Sequence, residues 1–437
     1  MVPLERLRVR SRSLWLILAG LTIAIVFVVL NDQAYNGFFQ SDEFDNLRWA
    51  PLLPSRDFIE GLLSPKFQVD NFRPVGHFYF AAMGRAFGLN FAPYMTAIFT
   101  VHLINGLLLY LLSRKLGIPP WHTLAAVTFF VFSATAFDAY WKPMYVFDLL
   151  CTTFSLASIL LYAYRRWILS FIAFWLAYKS KELAVMLPAV LVVYEYWFGE
   201  RRFQFALPFL LVSLSFGIQG IVWNPNKNNA YTFRFTLDAL RQTVPFYSGR
   251  FLILPFTGLG LFALAFVRDR RVWFGLIAMC LLMVPLLFLP GRLYEAYGYL
   301  PLACAAIALA AAASHLNAAW AWIAVALWMP FNVRELRMER RVKLALDDRT
   351  FAYVDTMAKW AAQNPRIEAF VFDGAPHGFE DWGVAGAWNI IHHRQDLPVV
   401  WVDSDEARAA RRRQAVAYGT WDWQRQTLSI EIRRPGQ

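Results

Sequence analysis

The chain has 437 residues, of which 58% are hydrophobic and only 17% are charged, and its mean hydropathy is +0.38. Soluble globular proteins carry about 25% charged residues, so this composition excludes an ordinary soluble enzyme. The formal net charge of +11 would suggest a nucleic-acid partner in a soluble protein. In a membrane protein, basic residues at the cytoplasmic ends of the spans explain such a charge better.

Apolar blocks follow one another along most of the chain. A helix needs about 20 apolar residues to cross a hydrocarbon core of ~30 Å. The blocks lie at about residues 14–30, 91–112, 119–137, 144–163, 167–178, 182–198, 205–223, 251–267, 272–290, 297–314 and 318–331. No A-x-A-like cleavage site follows the first block, so we interpret it as a retained helix. The sequence therefore predicts a polytopic α-helical membrane protein with about 11 transmembrane helices.

Basic clusters occupy every second loop between these blocks. With the N-terminus inside, the inner loops carry the clusters at residues 114–115, 165–166, 201–202 and 268–271. This is the positive-inside pattern of membrane proteins. The intervening loops then lie on the outer face, at about residues 31–90, 140–143, 178–182, 223–250 and 291–301. Within the first of them, FRPVGHFYFAAMGRAFG is typical of a short amphipathic helix at the membrane interface.

The composition becomes charged after residue 331, and no further apolar block follows. IEAFVFDG and PVVWVD are typical of short strands, and TFAYVDTMAKWAAQ is typical of an amphipathic helix that ends before Pro365. We therefore predict a transmembrane domain over residues 1–331 and a small soluble α/β domain over residues 332–437. Eleven spans place that domain outside the cytoplasm, and a miscount by one would place it inside.

An acidic cluster follows the first apolar block. The stretch SDEFDN, residues 41–46, contains Asp42, Glu43 and Asp45. Ionisable side chains beside a membrane span are functional hypotheses by default. As an alternative, Asp42 and Glu43 cap the next helix, because acids are favoured at helix N-termini. Carboxylates also suit Mg²⁺ or Mn²⁺, so a divalent cation is an open alternative, but we assign no metal ligand and no firm cofactor.

The outer loops concentrate cations as well. They carry Arg73, Lys142, Lys179, Lys181, Arg234, Arg241, Arg250 and Arg292. A carboxylate can take a proton from a nucleophile, and nearby cations can bind a phosphate or diphosphate leaving group. This chemistry suits a lipid-linked phosphosugar, whose tail lies in the bilayer and whose head lies at the interface.

Four motifs resemble those of the GT-C membrane glycosyltransferases, in particular the protein O-mannosyltransferase and TMTC-type branch. SDEFDN resembles the acidic motif after the first span, and NFRP at 71–74 resembles the Y/F-R-P motif. SKELAVMLP at 180–188 resembles S-K-E-x-x-x-x-L-P, and EAYGYLP at 295–301 resembles E-R-x-x-Y-L-P. Ala296 stands where that family has Arg, which makes Arg292 the candidate replacement. The second outer loop has WKP instead of His-Pro, and the helical repeats of the TMTC-type proteins are absent.

The resemblance implies a GT-C fold and a donor sugar on a polyprenyl phosphate, similar to dolichyl-phosphate mannose. Asp42 would be the general base, with Glu43 positioning it. The expected donor-phosphate and lipid-binding residues are Arg73, Lys181, Glu182, Arg292 and Tyr299. The expected supporting residues are Asp45, Lys142, Lys179, Arg250 and Glu295. As alternatives, Glu182 only pairs with a neighbouring lysine, and Tyr297 and Tyr299 are interfacial aromatics.

The predicted function is transfer of the sugar to an acceptor hydroxyl, as in O-glycosylation, on the extracytoplasmic face. The expected partners are membrane lipids, the polyprenyl-phosphate sugar and an acceptor glycan, lipid or protein, without nucleic acid. The expected location is a bacterial inner membrane, with the active site facing the periplasm. A transporter or flippase of lipid-linked sugars is the first alternative, and a polymerase or ligase of surface polysaccharide is the second.

Overall fold

The computed structural model describes residues 4–66, 72–222, 229–251, 257–413 and 415–434, and it gives the backbone alone for residues 4–13 and 411–413. Most of these residues are helical. The α-helices are α1 (Leu4–Leu30), α2 (Ser41–Trp49), α3 (Ser55–Leu63), α4 (Pro74–Phe87), α5 (Phe91–Lys115), α6 (Pro120–Phe132), α7 (Phe137–Trp141), α8 (Val146–Ala163), α9 (Trp167–Ser180), α10 (Leu187–Trp197), α11 (Leu207–Val222), α12 (Leu237–Phe251), α13 (Arg270–Leu287), α14 (Tyr299–Ala313), α15 (Ala318–Gln363), α16 (Asp381–Ile391) and α17 (Asp405–Arg413).

The apolar helices differ in whether they can cross a membrane. Four segments are long and apolar enough, namely Phe91–Lys115, Pro143–Ala163, Arg270–Leu287 and Glu295–Ala313. The helix α6 and the segment Ala134–Trp141 qualify together, but they bend by 52° at a short break. Shorter apolar helices lie at Leu14–Leu30, Trp167–Ser180, Leu207–Val222 and Thr257–Val267. Within the described residues there are thus four or five spans, and the predicted count of about 11 is not confirmed.

The chain divides into two compact units. The first comprises Met1–Asp32, Glu60–Gly76 and Ala97–Leu336. The second comprises Gln33–Ile59, His77–Thr96 and Arg337–Gln437. Helix α15 runs without interruption through residue 331, because the following segment is rich in Arg, Glu, Leu and Lys, which favour helix. The proposed division between residues 1–331 and 332–437 therefore stays a prediction.

Close helix packing in the first unit depends on small residues. A Cβ atom added at Gly275 of α13 would lie 2.6 Å from the backbone nitrogen of Ala308 and 2.7 Å from the carbonyl oxygen of Cys304 in α14. Small residues allow such close approach between membrane helices. A 3₁₀ turn, Glu295–Gly298, leads directly into α14. The polar residues of the predicted fifth outer loop therefore lie at the N-terminal end of this packed helix.

The second unit contains a four-stranded sheet. Its strands are β1 (Phe370–Asp373), β2 (Val399–Trp401), β3 (Val416–Asp422) and β4 (Thr427–Arg433). Their order is β2-β1-β3-β4, with β1 parallel to both neighbours and β3 antiparallel to β4. The sequence-based predictions of β1, β2 and a helix ending before Pro365 are confirmed, since α15 ends at Gln363.

Both faces of β1 are covered, as expected for a central parallel strand. Val371 packs with Val416 and Tyr418 on one face. On the other face the Phe370 ring stacks on Trp388 of α16, with ring centroids 4.7 Å apart. The indole N–H of Trp388 donates to a backbone carbonyl 2.7 Å away, which satisfies its only polar group in the core.

Helices α2 and α16 pack closely in the second unit because α16 presents two glycines. A Cβ atom at Gly383 would lie 2.6 Å from the Cα atom of Ser41, and one at Gly386 would lie 2.6 Å from the carbonyl carbon of Phe44. Only hydrogen occupies these positions, so the two backbones approach each other. This packing holds the acidic helix α2 against the C-terminal α/β segment.

Candidate functional site

The acidic cluster lies on α2 in the second unit. Asp42 is half-buried, and its Oδ1 atom accepts a hydrogen bond of 2.8 Å from the indole nitrogen of Trp382 in α16. Among the described residues no hydrogen bond engages the second carboxylate oxygen, so it is able to accept a proton from another molecule. Trp382 was not anticipated from the sequence, because it lies 340 residues away along the chain.

Glu43 is fully buried at the start of the same helix. Its Oε2 atom accepts the backbone N–H of Gln40 at 3.1 Å. This is the capping geometry that the sequence offered as the alternative role of Glu43. The side chain of Gln40 is held in turn by Asp347 at 2.8 Å and by Thr350 at 3.2 Å. Glu43 thus fixes the first turn of α2, one residue after Asp42.

Asp45 lies one turn after Asp42. Its Oδ1 atom lies 2.9 Å from the Nη2 atom of Arg48. Burial raises the pKa of Asp45, the Arg48 guanidinium opposes that rise, and the negative charge of Asp42 adds to it. The net pKa of Asp45 is raised, so the folded second unit disfavours the charged form of this carboxyl group.

A bidentate ion pair joins two of the predicted donor-binding residues in the first unit. The Nε and Nη2 atoms of Arg73 lie 3.0 Å from the Oε1 and Oε2 atoms of Glu182, respectively. Burial lowers the pKa of Arg73, but the Glu182 carboxylate outweighs burial and the net pKa is raised. Burial raises the pKa of Glu182, and Arg73 outweighs it in the opposite direction. The pair therefore stays charged. Asn71 of the predicted motif lies outside the described residues.

A second ion pair is almost completely buried. The Nζ atom of Lys181 lies 2.7 and 2.6 Å from the two carboxylate oxygens of Asp148 in α8. The exposed fractions of the two side chains are 10% and 3%. Asp148 was not singled out in the sequence, although an aspartate inside an apolar span is a recognisable signal. The lysine also lies 4.0 Å from the centroid of the Tyr297 ring.

Arg292 has an environment of tyrosines. Its Nη2 atom donates to the Tyr297 hydroxyl at 3.1 Å, and its guanidinium lies over the rings of Tyr231 and Tyr294, 4.3 and 4.6 Å from their centroids. Its Nε atom is buried without a hydrogen-bond partner. Burial lowers the pKa of Arg292, and the Tyr297 oxygen outweighs burial, so the pKa is raised. Within the described ranges no carboxylate pairs with it.

The other predicted residues of the first unit are held by the protein. Arg250 pairs with Glu295 at 2.9 Å. The Nζ atom of Lys179 donates to the carbonyl oxygen of Ser64 at 2.6 Å. Lys142 is buried, with 6% of its surface exposed. A supporting role of these residues in a donor site stays a prediction.

Tyr299 is fully buried at the start of α14 and is not an exposed interfacial aromatic. Its hydroxyl lies 2.6 Å from the Nδ1 atom of His102 and 3.3 Å from the Nδ2 atom of Asn105. Thr153 extends this network by donating to Asn105 at 2.7 Å. The network joins α5, α8 and α14, and a donor-binding role for Tyr299 stays a prediction.

The pairing pattern distinguishes the cations chemically. Arg73, Lys181 and Arg250 each face a protein carboxylate, so a phosphate would have to compete with that carboxylate for them. Arg292 carries a positive charge balanced only by tyrosine rings and a hydroxyl among the described residues. A half-buried guanidinium of this kind is suited to bind a phosphate oxygen.

A divalent cation finds no ready-made cage in the parts of the chain that the structure describes, since no group of three or more His, Cys, Asp or Glu side chains is placed to hold a metal ion. Glu43, one member of the acidic cluster, is occupied by the Gln40 N–H. A role for Mg²⁺ or Mn²⁺ stays an untested alternative.

Comparison with known proteins gives a fold. No protein-family profile and no curated protein sequence matches the chain. Two solved structures are similar to it over 94% of this chain and 93% of theirs, at 14% identity. They are ArnT from Cupriavidus metallidurans in the apo state, with a TM-score of 0.56, and the same protein bound to undecaprenyl phosphate, with a TM-score of 0.54. The chain therefore shares the overall fold of these structures.

This similarity supports the coarse part of the predicted fold class, a mostly helical membrane fold with a small C-terminal sheet. It does not confirm the narrower resemblance to the protein O-mannosyltransferase and TMTC-type branch. At 14% identity it carries no residue roles to this chain. The roles of Asp42, Arg292 and their neighbours therefore rest on the geometry described above.

Proposed function

We propose that the chain is a membrane glycosyltransferase that moves a sugar from a polyprenyl-phosphate-linked donor to an acceptor hydroxyl. The observation that carries the proposal is Arg292, a half-buried guanidinium without a carboxylate partner among the described residues. The GT-C fold supports it, and the neighbour structure that contains undecaprenyl phosphate supports the class of lipid.

The leaving group needs positive charge. As the bond between the sugar C1 atom and the phosphate oxygen breaks, its electron pair moves to the phosphate, which gains negative charge. The guanidinium of Arg292 would neutralise that charge. Tyr297 accepts from Arg292 through its oxygen, so its own proton is available to a phosphate oxygen. The paired cations Arg73 and Lys181 would add a background of positive potential.

The acceptor needs a base. Asp42 would take the proton of the acceptor hydroxyl while the hydroxyl oxygen forms its bond to C1, which inverts the configuration of the sugar. The indole of Trp382 holds one carboxylate oxygen and leaves the other for the proton. Glu43 would position this base through its hydrogen bond to the backbone at the start of α2.

The setting of the reaction is also proposed. The basic clusters of the alternate loops favour a cytoplasmic location for those loops, and the candidate residues lie on the other set of loops. A bacterial inner membrane with the reaction on the periplasmic side fits this pattern. The acceptor is a hydroxyl of a glycan, lipid or protein, and O-glycosylation is the protein case.

The phosphate-binding role is tested with undecaprenyl phosphate as the probe. Its binding to the purified protein in detergent is measured for the wild type, for Arg292→Gln and for Arg241→Gln. Arg241 is 76% exposed and pairs with Asp238 in the same sequence region, so it is the matched control. Loss of a charge-assisted hydrogen bond predicts a roughly tenfold to hundredfold weaker affinity for Arg292→Gln alone. Equal affinity of the two variants would refute this role.

Transfer is tested with a panel of short-chain polyprenyl-phosphate sugars and a membrane extract as the source of acceptor. Released polyprenyl phosphate is measured by mass spectrometry for the wild type, for Asp42→Asn and for the exposed control Asp348→Asn. The proposal predicts release that is retained in the control and lost in Asp42→Asn. A flippase would move the intact donor, so no release from any panel member, together with movement across vesicles, would favour the transporter instead.

A further inference from the structure

The first unit contains a polar cavity at the ends of five apolar helices. Its volume is about 350 Å³. It is lined by residues at the C-terminal ends of α5, α8 and α10 and at the N-terminal ends of α9 and α13. These ends carry the basic clusters that the positive-inside pattern assigns to the cytoplasmic face. We call it the basic cavity.

The charges of the basic cavity do not balance. Its wall contains four cations and two carboxylates, namely Lys115, Arg165, Arg202, Arg270, Glu195 and Glu200. Glu200 pairs with both Arg165 and Arg202, the second at 2.9 Å. The Oε1 atom of Glu195 accepts the backbone N–H of Arg202 at 2.6 Å. Within the described residues Lys115 and Arg270 pair with no carboxylate, which leaves an excess of two positive charges.

Most of these cations are not needed to cap the C-terminal carbonyl groups of the helices. The carbonyl groups at the end of a helix need donors, and the backbone supplies them here. The N–H of Ile118 bonds to Ser113 at 3.1 Å, that of Arg166 to Leu161 at 2.9 Å, and that of Gly199 to Tyr194 at 3.3 Å. Arg270 gives one N–H to the Trp197 carbonyl, and the Nζ atom of Lys115 lies over the Tyr164 ring, 4.3 Å from its centroid.

The rim of the basic cavity continues into apolar surface. Trp167 lines the cavity, and the next two residues on α9, Ile168 and Leu169, are 79% and 51% exposed. Tyr164, beneath Lys115, is 57% exposed. An anion that enters the cavity can therefore keep an attached hydrocarbon chain against α9. A phosphate group with acyl chains can bind both the basic cavity and the apolar surface of α9, whereas free phosphate can bind only the cavity.

We propose that the basic cavity binds the phosphate of an anionic phospholipid headgroup. Lys115 and Arg270 supply the charge, and the exposed side chains of α9 contact the acyl chains. Basic pockets between membrane helices on the cytoplasmic side are suited to such headgroups. The site is separate from the residues assigned to sugar transfer, so it holds a structural or regulatory lipid whatever the fate of the transferase proposal.

The test uses the full chain in a zwitterionic detergent. Thermal stability is measured after addition of phosphatidylglycerol, of phosphatidylcholine or of inorganic phosphate, and bound phosphatidylglycerol is measured by native mass spectrometry. The site variant is Lys115→Gln/Arg270→Gln. The control variant, Arg166→Gln/Arg268→Gln, removes the same charge from exposed residues of the inner-loop clusters that do not line the cavity. Both altered pairs are exposed, so both variants should fold.

The proposal predicts stabilisation by phosphatidylglycerol but not by phosphatidylcholine, with an affinity roughly thirtyfold weaker in the site variant and nearly unchanged in the control. Stabilisation by inorganic phosphate that is also lost in the site variant would keep the phosphate chemistry and overturn the lipid as its source. Equal loss in both variants, or no stabilisation by either anion, would overturn the site itself.

Discussion

Breaking the buried pair of Asp148 and Lys181 should destabilise the first unit strongly. The two side chains are 3% and 10% exposed and are joined by contacts of 2.6 and 2.7 Å. Replacing Asp148 by Asn leaves the ammonium of Lys181 buried without its counterion. Loss of one partner of a buried pair costs about 3–5 kcal/mol. We expect Asp148→Asn to lower the free energy of unfolding by about that amount, measured by titration with sodium dodecyl sulfate.

The double variant Asp148→Leu/Lys181→Met distinguishes a structural role of the ion pair from a donor-binding role of Lys181. It removes both charges and keeps similar volumes, so most of the lost stability should return. In a double-mutant cycle with the single variants Asp148→Leu and Lys181→Met, the free energies of unfolding should show a coupling of about 2 kcal/mol or more. Additive costs in the two single variants would refute the conclusion that Lys181 depends on Asp148. A double variant that is stable yet binds undecaprenyl phosphate normally would show that Lys181 serves structure rather than the donor.

Three further predictions concern single side chains. Gly386→Ala places a methyl group against the α2 backbone and should destabilise the second unit by about 1–3 kcal/mol. The control is Gly20→Ala, whose added methyl group meets nothing within 4 Å and should not destabilise the protein. Differential scanning fluorimetry compares the two variants. Burial raises the pKa of Asp45 in the folded protein above its ordinary 3.8. The folded state therefore binds the proton more tightly than the unfolded state, and stability falls as the pH rises from the unfolded-state pKa to the folded-state pKa. Asp45→Asn should therefore stabilise at pH 7, with the gain vanishing below about pH 4 in thermal scans; an equal gain at both pH values would contradict this. Tyr299→Phe leaves His102 without its hydroxyl partner and should cost about 1–3 kcal/mol in chemical unfolding; no cost would mean that the network is replaced by water.

Much of the fold could be predicted from local pattern. Within the described residues the apolar blocks coincide with helical segments, because composition and length alone favour helix there. The end of α15 followed from Asn364-Pro365, since the residue before proline avoids the helical conformation. The number of spans could not be fixed in this way. Helix α9, for example, has 14 residues, and periodicity does not decide whether such a helix crosses the bilayer.

The candidate site was predictable by residue type but not by partner. Acids and cations on alternate loops pointed to Asp42 and Arg292 before any contact was known. The partners depend on tertiary packing, as shown by the Arg73 and Glu182 pair, whose members are 109 residues apart. The structure was therefore needed to show that Arg73, Lys181 and Arg250 face carboxylates and that Arg292 is bonded to a tyrosine hydroxyl instead.

Native mass spectrometry of the protein purified from its own membrane, compared with Asp42→Asn, tests the transferase proposal most directly. The wild type should retain a polyprenyl phosphate, and Asp42→Asn should retain the same lipid with its sugar still attached, because the base that drives transfer is absent. The mass of that trapped donor would also identify the class of sugar. No prenyl lipid in either protein would contradict the donor assignment, and the same sugar-free lipid in both would contradict the role of Asp42.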